Sequence, residues 1–535
     1  MRRKNPLYDI RKRNVVGRPT VYEPDGTHNR KENLKRALDQ LRDALGEEWV
    51  TDDPEITCGY SRDQSFVPAS YPDMVALPSS TEEVVQIYKI ANKYLIDVIP
   101  YGTGINLFGA TIPPYGGLIC DLRRMDEIYE LDPEGMYARI GPGVNFLSLQ
   151  ACALRHGLRV TNPSTSATAS VISNHTLCNI NTMASKYGFG LDNIIDSTIV
   201  LPTGKILKTG PGAFGMQKAQ ISGPGPDISS LFRYSMGTLG ICTEMTIRLY
   251  PQPDYEAYLF PAYPEDELGP IIRALYRLSR TGLPIELAHL QNTFYGIFIG
   301  DDNAEAEKLV GMMPRNNIIA VFGGATEREA SRKAEICRRL VKEIDPDFDF
   351  IEYEALEMLI GDKVHFDRWM KFFRETVRVQ RVKGTFFVGA LVDHLEEFEE
   401  IEKQMRLATS REVGTTEGVF KPDDASAYLQ PYHMGRACYL EFDLYTDKSD
   451  KDDLLRILPA YLRASAVGFR RGSLFAAGPA CLIWGLADIP LGIVRPYYGF
   501  YLQVLGEIKR KYDPNNISSR RFEYDTNMRK RFFHM

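Results

Sequence analysis

The spacing of apolar residues in the first quarter of the chain predicts a strand, a helix and a second strand in succession. Residues 74–77 and 118–122 are apolar runs of strand length, and between them Ser80–Ile96 carries apolar residues at helical spacing. Ser80 can cap this helix, and Glu83 three residues later can complete a capping box. The segment that joins the helix to the second strand is therefore a connection between regular elements.

That connection, VIPYGTGINLFGATIPP (98–114), is rich in glycine. Gly102, Gly104 and Gly109 can adopt positive φ, and successive N–H groups in such a turn form a nest for a phosphate group. No Gly-Lys-Ser/Thr ends the loop, so it is not a Walker loop, and a strand rather than a helix follows, so it is not a Rossmann fingerprint. On the loop alone, phosphate binding and an ordinary turn both stay open.

The first half of the chain contains further predicted elements. They are a helix over 33–45, a strand over 137–141, a helix over 145–156 that Gly157 ends, a hairpin of 194–201 with 205–209, and a turn leading into a strand over 236–249. Residues 161–180 show neither period and are rich in Ser, Thr, Ala and Asn. Composition alone favours a solvated loop there, although its hydroxyl and amide groups can also line a binding site.

From Asp254 onward, predicted strands alternate with charged helices. The strands are 255–261, 284–291, 318–323, 348–353, 384–392, 412–420 and 436–445, and the helices are 264–280, 326–343, 394–408 and 449–464. Two successive strand–helix–strand units favour one antiparallel sheet with helices on one face.

Composition narrows the class of protein. The 535 residues predict roughly two to four domains, and 44% hydrophobic with 25% charged residues is typical of a soluble globular protein. A net charge of −6 gives no electrostatic reason to expect nucleic acid binding. The eight cysteines form no CxxC pair, and no apolar run is long enough to span a membrane. The basic N-terminus leads into no apolar signal region, so we expect a cytoplasmic protein.

Several blocks in a fixed order resemble the flavin-binding domain of the vanillyl-alcohol oxidase and p-cresol methylhydroxylase family. They are TGIN (103–106), PST (163–165), SN (173–174), YG (187–188), VLPTGKILKTG (200–210), LF (231–232), GTLGICTEMTIRLYPQP (237–253) and YDPNNI (512–517). The same blocks are similar to those of glycolate oxidase and D-lactate dehydrogenase flavoproteins. The resemblance implies an α+β fold, with a two-subdomain FAD-binding domain of the p-cresol methylhydroxylase type and a cap domain whose antiparallel sheet carries helices on one face. The implied boundaries are 1–253 for the arm and FAD-binding domain (core 70–253), 254–489 for the substrate-binding cap, and 490–535 for a return to the FAD-binding domain.

The resemblance also implies FAD as the cofactor and assigns its binding positions. These are Tyr101, Gly102, Thr103, Gly104, Ile105, Asn106, Pro163, Ser164, Thr165, Ser170, Asn174, Tyr187, Gly188, Gly237, Gly240, Ile241 and Asn516. The glycine loop would hold the pyrophosphate, residues 163–174 would line the ribityl chain and isoalloxazine, and the turn at 237–241 would hold the adenine end. Because no Arg or Lys occurs between Tyr101 and Tyr115, backbone N–H dipoles would have to meet the phosphate charge.

Arg470 and Arg471 are candidate catalytic residues, because they stand where phenol-oxidising members of the family carry a Tyr-Arg pair that binds the phenolate. Arg471 matches the arginine, whereas Arg470 departs from the tyrosine. Gly109 stands at the place of a second phenol-binding tyrosine, and Thr165 lies near the place of an acidic residue, so a para-phenol substrate is disfavoured. An arginine binds a carboxylate as readily as a phenolate, and a solvated surface pair is the alternative interpretation.

The flavin is expected to be non-covalent. The linking histidines of the family align near Gly384 and at Cys438 and Tyr439, and the glycine loop contains no histidine. Tyr439 is the alternative link, although a packed strand tyrosine is the simpler interpretation. His433 and His289 are candidate general bases near neutral pH, and a lone histidine is a poor metal ligand, so no metal site is expected.

Three functions stay open at this point. The first is an FAD-dependent oxidoreductase that removes a hydride from an alcohol or benzylic carbon of a substrate carrying a phenolate or carboxylate. The second is a D-2-hydroxyacid dehydrogenase of the glycolate or D-lactate type, and the third is a subunit that holds FAD for electron transfer without a substrate of its own. The expected partners are a small-molecule substrate and an electron acceptor, which can be oxygen, a cytochrome or another flavoprotein. Whether the chain forms a homo-oligomer is not decided by its sequence.

Overall fold

The computed structural model describes residues 30–65, 69–106, 109–113, 115–163, 167–177, 180–216, 226–264, 267–300, 302–352, 384–410, 426–447, 467 and 500–520. Up to residue 251 its strands are β1 (Val50–Thr51), β2 (Met74–Ala76), β3 (Val98–Tyr101), β4 (Leu118–Asp121), β5 (Ile128–Asp132), β6 (Tyr137–Ile140), β7 (Leu158–Arg159), β8 (Ile194–Val200), β9 (Ile206–Lys208), β10 (Ile241–Arg248) and β11 (Tyr250–Pro251). The helices of this part are α1 (Arg30–Leu45), α2 (Pro54–Thr57), α3 (Thr81–Tyr94), α4 (Phe146–Leu154), α5 (Val171–Thr176) and α6 (Ala184–Tyr187).

These elements form two sheets and a short ribbon. The first sheet has the order β1-β2-β4-β3, with β2 and β3 both parallel to β4, and the second has the order β5-β6-β10-β8-β9 with antiparallel pairing. The helix α3 begins as the sequence predicts, because Ser80 Oγ accepts a hydrogen bond from the Glu83 N–H at 3.2 Å. The Glu83 carboxylate accepts from the N–H of Ser79 at 2.7 Å, so the capping box is closed one residue earlier than expected.

The remaining strands form one antiparallel sheet, which we call the cap sheet. They are β12 (Tyr255–Leu259), β13 (Pro261–Tyr263), β14 (Glu286–Gln291), β15 (Asn316–Gly324), β16 (Asp349–Phe350), β17 (Gly384–Asp393), β18 (Ser426–Tyr432) and β19 (Ala437–Asp447). The order is β16-β13-β15-β14-β18-β19-β17, and β12 also pairs with β15. The helices of this part are α7 (Gly269–Thr281), α8 (Asn292–Ile299), α9 (Asn303–Met312), α10 (Glu327–Ile344) and α11 (Phe398–Ser410), and α12 (Tyr501–Tyr512) follows later.

The two faces of the cap sheet have different neighbours, because successive strand residues point to opposite sides. Leu287 of β14 belongs to the core that includes residues of α7, α10 and α11, so these charged helices cover one face. Leu290, three residues later, packs with Phe294 of α8 and with Phe189 from the N-terminal half. The second face is therefore turned toward the two N-terminal sheets.

Backbone hydrogen bonds join the two halves at the β18–β19 turn. The N–H groups of His433 and Met434 donate to the carbonyl oxygens of Ala184 and Ser185 at 3.2 and 2.7 Å. His433, Met434 and Gly435 all have positive φ, from 48° to 76°. The unusual backbone of this turn directs its N–H groups at helix α6.

The predicted fold class, α+β with an antiparallel cap sheet, is confirmed, whereas the domain boundaries stay predictions. The sequence analysis predicts no helix between the strands 284–291 and 318–323, which is wrong, since α8 and α9 lie there. Strand β18 was missed; its run SAYLQPY contains Pro431, a residue that is rare inside strands. The predicted strand 412–420 and helix 449–464 lie outside the described residues. None of the helices in the described ranges is both long and apolar enough to cross a membrane.

Candidate functional site

The glycine loop follows strand β3 and lies against the start of helix α5. The N–H of Ser170 donates to Thr103 Oγ1 at 2.9 Å, and a Cβ atom at Gly102 would lie only 2.6 Å from Ser173 Oγ. Gly104 has φ +82°, a conformation that glycine adopts without the strain of other residues. The glycine backbone of the loop, with positive φ at Gly104, is thus held beside the hydroxyl-rich segment 161–180. Composition alone assigns that segment to a solvated loop.

A second turn, Gly237–Gly240, packs against strand β3. Gly237 has φ +74°, and a Cβ atom there would lie 2.5 Å from Cγ of Pro100, the residue before the end of β3. The turn leads directly into β10. The glycine loop and the Gly237 turn are therefore in mutual contact through Pro100.

The end of helix α12 and the segment that follows it support the Gly237 turn. Lys509 is fully buried, and its Nζ donates to the Thr238 carbonyl at 2.8 Å and to the Asp513 carboxylate at 2.5 Å. Ser518 Oγ donates to the Gly237 carbonyl at 2.6 Å, and the Val98 N–H donates to the Ile517 carbonyl at 2.7 Å. The segment that follows α12, which we call the late segment (residues 513–520), consequently adds backbone pairing to β3 and supports the Gly237 turn.

A cavity of about 270 Å³ lies between these elements. It is lined by the glycine loop, by α5 and by the Gly237 turn, and its wall is completed by residues of the cap sheet and of α8. The residues predicted for cofactor binding that line it are Gly102, Thr103, Gly104, Ile105, Asn106, Pro163, Ser170, Asn174, Gly237, Gly240 and Ile241.

The cap-sheet wall of the cavity carries polar groups that sequence reasoning did not single out as catalytic. Tyr439 OH donates to the Glu441 carboxylate at 2.9 Å, and Tyr428 OH donates to Gln430 at 2.6 Å. The Phe294 ring stacks on that of Tyr428 with 5.8 Å between centroids. Burial raises the pKa of the Glu441 carboxyl. An acidic group and apolar rings therefore face the same space as the glycine loop.

Two buried polar atoms on the cavity wall lack a hydrogen-bond partner, Asn174 Oδ1 and Arg233 Nε. Buried polar groups are normally paired, so unpaired atoms at a cavity indicate a ligand that supplies the partner. Arg233 also brings a positive charge to a site in which only backbone N–H groups had been expected to meet phosphate. Sequence reasoning missed it because Arg233 lies four residues before the Gly237 turn rather than in the glycine loop. FAD, which carries phosphate acceptors as well as N–H and O–H donors, fits a site with one unpaired donor and one unpaired acceptor.

Other predicted cofactor residues lie beside the cavity without lining it. Tyr101 packs its ring edge-on against Tyr60, with centroids 5.0 Å apart. Tyr187 stacks on Tyr250 at 3.8 Å. Asn516 is buried with φ +50° in the segment that pairs with β3. Their role in FAD binding stays a prediction.

The two candidate histidines do not line the cavity. His289 is fully buried on β14, its Nε2 is 2.9 Å from Asn316 Oδ1, and burial lowers its pKa to about 4. His433 lies in the β18–β19 turn with Nε2 3.2 Å from the Asp192 carboxylate, and Gly188 lies against both side chains. Neither histidine is brought to the cavity, and their role as general bases stays a prediction. Ser164, Thr165, Arg470 and Arg471 lie outside the described residues.

The fold and this cavity define an FAD-binding flavoprotein. Residues 72–210 match the family model described as "FAD binding domain", and FAD is the cofactor of this chain. The predicted resemblance to FAD-linked oxidoreductases is thereby confirmed, and the fold expected from the vanillyl-alcohol oxidase and p-cresol methylhydroxylase family is confirmed by solved structures.

Particular relatives share the N-terminal half. The chain is 32% identical over 248 residues to an uncharacterized FAD-linked oxidoreductase of Mycobacterium tuberculosis, covering 46% of this chain and 52% of that protein. It is 33% identical over 230 residues to glycolate oxidase subunit GlcD of Bacillus subtilis (43% and 48% covered), and 31% identical over 232 residues to the mitochondrial D-lactate dehydrogenase (cytochrome) of Arabidopsis thaliana (43% and 40% covered). The matched part of the chain thus spans about half the length of these curated relatives, or less.

Solved structures extend the similarity to the whole fold. Substrate-bound p-cresol methylhydroxylase aligns with a TM-score of 0.78 at 19% identity, covering 93% of this chain and 97% of that one. The 4-ethylphenol oxidase of Gulosibacter chungangensis aligns with a TM-score of 0.75, also at 19% identity, with the same coverage. At this level of identity the likeness establishes the fold and not the substrate.

Proposed function

We propose that this protein is an FAD-dependent oxidoreductase that removes a hydride from an alcohol or benzylic carbon of a small anionic substrate. The observation that carries the proposal is that one cavity joins the glycine-loop cradle to the Tyr439–Glu441 pair. When bound, FAD supplies the two-electron acceptor for the hydride. The chain itself has to bind and orient the substrate and to accept its proton.

Glu441 is the group suited to accept that proton when the substrate is an alcohol. As the C–H bonding pair departs and a C=O bond forms, the hydroxyl proton must go to a base within hydrogen-bonding reach. Glu441 lies on the cavity wall, and one of its oxygens accepts the hydrogen bond from Tyr439. Its raised pKa brings the carboxylate closer to the basicity that such a transfer needs.

The rest of the cap-sheet wall favours a substrate with an apolar body. Phe294 and the ring of Tyr428 present apolar surface to the cavity. Such surface excludes water and positions a ring or short alkyl chain, while a few polar groups set orientation. A benzylic alcohol or an aryl-substituted hydroxy acid matches this combination.

The expectation of an anionic group on the substrate rests on Arg471, which matches the anion-binding arginine of the phenol oxidisers by sequence. Arg233 also lines the cavity, but its Nη2 lies 4.0 Å from the Asp227 carboxylate and it is the cation assigned to the cofactor phosphate. A D-2-hydroxy acid is the second candidate, because two relatives are named as a D-lactate dehydrogenase and a glycolate oxidase subunit. Arg471→Ala is expected to lower kcat/KM by about tenfold to a thousandfold with FAD still bound.

Anaerobic stopped-flow reduction of the bound flavin tests the proposal. The panel contains D- and L-hydroxy acids, aryl carboxylates with a benzylic alcohol, phenols and neutral alcohols. Glu441→Gln is expected to slow reduction by the best alcohol substrate by roughly 10²- to 10⁴-fold with normal FAD content. Glu396→Gln, at an exposed site after β17, is the matched control and should react normally. Absence of reduction by every class would favour an electron-transfer subunit, and fast reduction by a neutral alcohol in Arg471→Ala would refute the anionic substrate.

A further inference from the structure

Polar side chains follow one face of strand β19 from the cavity into the interior. Tyr439, Glu441, Asp443 and Tyr445 occupy alternate positions and therefore point to the same side of the sheet. Tyr439 and Glu441 line the cavity, whereas Asp443 has no exposed surface. Tyr445 OH donates to the Asp443 carboxylate at 3.2 Å and is 2.7 Å from Ser426 Oγ.

Glu441 and Asp443 are two residues apart on this face, and each carboxyl group perturbs the pKa of the other. Ionised carboxylates are acceptors only, so a direct hydrogen bond between the two requires a proton on one of them. Asp443 Oδ1 has no hydrogen-bond partner in the described part of the chain, which leaves a place for that proton. Two like charges side by side in a buried site would also repel strongly.

Among the described residues that flank the pair on the cap sheet, none supplies a counter-charge for a doubly ionised pair. Across the sheet, Glu441 lies opposite Tyr428 and Ala390, and Asp443 lies opposite Ser426 and Val388. The neighbours on β19 itself are tyrosines, and α8 contributes a phenylalanine to this face. None of these groups is cationic. Burial and the adjacent Glu441 raise the pKa of Asp443 well above its ordinary value.

We infer that Glu441 and Asp443 hold one proton between them in the resting protein, and that Asp443 is the positioning residue that keeps Glu441 ready as proton acceptor. The shared proton resides on Asp443 and is donated in a hydrogen bond to Glu441, whose side chain lines the cavity. The inference rests on the proposed function for the catalytic use of the pair, but the shared proton exists whether or not a substrate is found.

In the step that the pair serves, the substrate R₂CH–OH would lose its C–H hydrogen and the C–H bonding pair as a hydride, which bound FAD would accept. The O–H bonding pair would become the second bond of the C=O group. The hydroxyl proton goes to Glu441, so the pair passes from one proton to two and from one negative charge to none. A proton then leaves to solvent before the next turnover.

Infrared difference spectroscopy of the complete FAD-loaded protein tests the shared proton directly. At neutral pH the resting protein should show the C=O stretch of a protonated carboxyl group that shifts on transfer to D₂O. This band should disappear in Asp443→Asn, shift in frequency in Glu441→Gln because Asp443 loses its acceptor, and persist unchanged in Asp349→Asn, an exposed carboxyl at the other edge of the same sheet. A resting spectrum without the band, or a band unaffected by both substitutions, would overturn the inference.

The pH profile of flavin reduction tests the positioning role. In the wild type, reduction should be lost in acid as the pair takes its second proton. In Asp443→Asn an amide replaces the carboxyl group, which is the stronger hydrogen-bond donor. The pKa of Glu441 should therefore rise, and the loss of flavin reduction in acid should shift to higher pH by about one unit. A lower rate with an unmoved limb would mean that Asp443 has only a structural role.

The two proposals can fail separately. If no substrate reduces the flavin but the resting band behaves as expected, the oxidoreductase proposal fails and the shared proton stands. If the variants do not fold, titration of the wild-type band decides, because it should strengthen in acid and vanish in alkali. A band that shows neither change refutes the pair.

Discussion

Replacing Gly237 by alanine should damage the FAD site in a way that can be calculated from its surroundings. Positive φ at an alanine costs about 1–2 kcal/mol, and the new Cβ would lie 2.5 Å from Pro100 Cγ and 2.9 Å from Ser519 Oγ. Overpacking of this kind costs about 1–3 kcal/mol. Gly157→Ala is the matched control, because Gly157 has φ +67° and open space around its Cβ position.

The contact part of the cost is the difference between the two variants, about 1–3 kcal/mol. This contact cost lowers the free energy of unfolding if the turn already lies against Pro100 in the apoprotein. It lowers the affinity for FAD instead if the turn closes against Pro100 only on binding. Urea unfolding of the apoprotein gives the first quantity, and titration with FAD by flavin fluorescence gives the second. If the whole contact cost falls on binding, Kd should rise by roughly five- to 150-fold. Identical behaviour of Gly237→Ala and Gly157→Ala in both assays would refute the contact.

Four further outcomes are expected. Gly104→Val should abolish FAD loading of the folded protein, since a branched side chain cannot easily adopt its φ of +82°; normal flavin content would show that the loop is only a turn. Acid precipitation should release the FAD, because Tyr439 donates its hydroxyl to a carboxylate; flavin left in the pellet would point to that tyrosine. Lys509→Met should lower the free energy of unfolding by about 3–5 kcal/mol, because it leaves a buried carboxylate unpaired, whereas the exposed Lys511→Met should change it by less than about 0.5 kcal/mol. Arg233→Met should weaken FAD binding about tenfold to a hundredfold and leave riboflavin binding unchanged, if its guanidinium meets phosphate; equal loss for both ligands would contradict this.

Local signals predicted the parts of the site that depend on short-range chemistry. The cap at Ser80 and the glycines of the loop follow from backbone and side-chain preferences within a few residues, and the structure has both. The helix NTFYGIFI (α8) was missed because it is apolar all round and therefore has no helical period. Hydrophobic periodicity detects a helix that has one apolar face and one polar face, and this segment has no polar face.

Arg233 and Glu441 were not predicted as site residues because long-range packing brings them to the cavity. Alternation along β19 identifies which residues share a face, but it does not tell that this face meets the N-terminal half rather than solvent. Likewise, Arg233 lines the cofactor cavity although it is distant in sequence from the glycine loop. Only the tertiary arrangement relates these residues to the blocks that carry the family resemblance.

The pairing of β3 with the late segment has a consequence for biosynthesis. Tyr88 OH and Ser518 Oγ lie 2.6 Å apart although 430 residues separate them along the chain, and Val98 bonds to Ile517 and Ser519. While the ribosome is still making the cap sheet, the strand that leads into the glycine loop has an open edge and the Gly237 turn lacks its support. We therefore expect FAD to be incorporated late, after the segment that carries Ile517 and Ser519 has been translated.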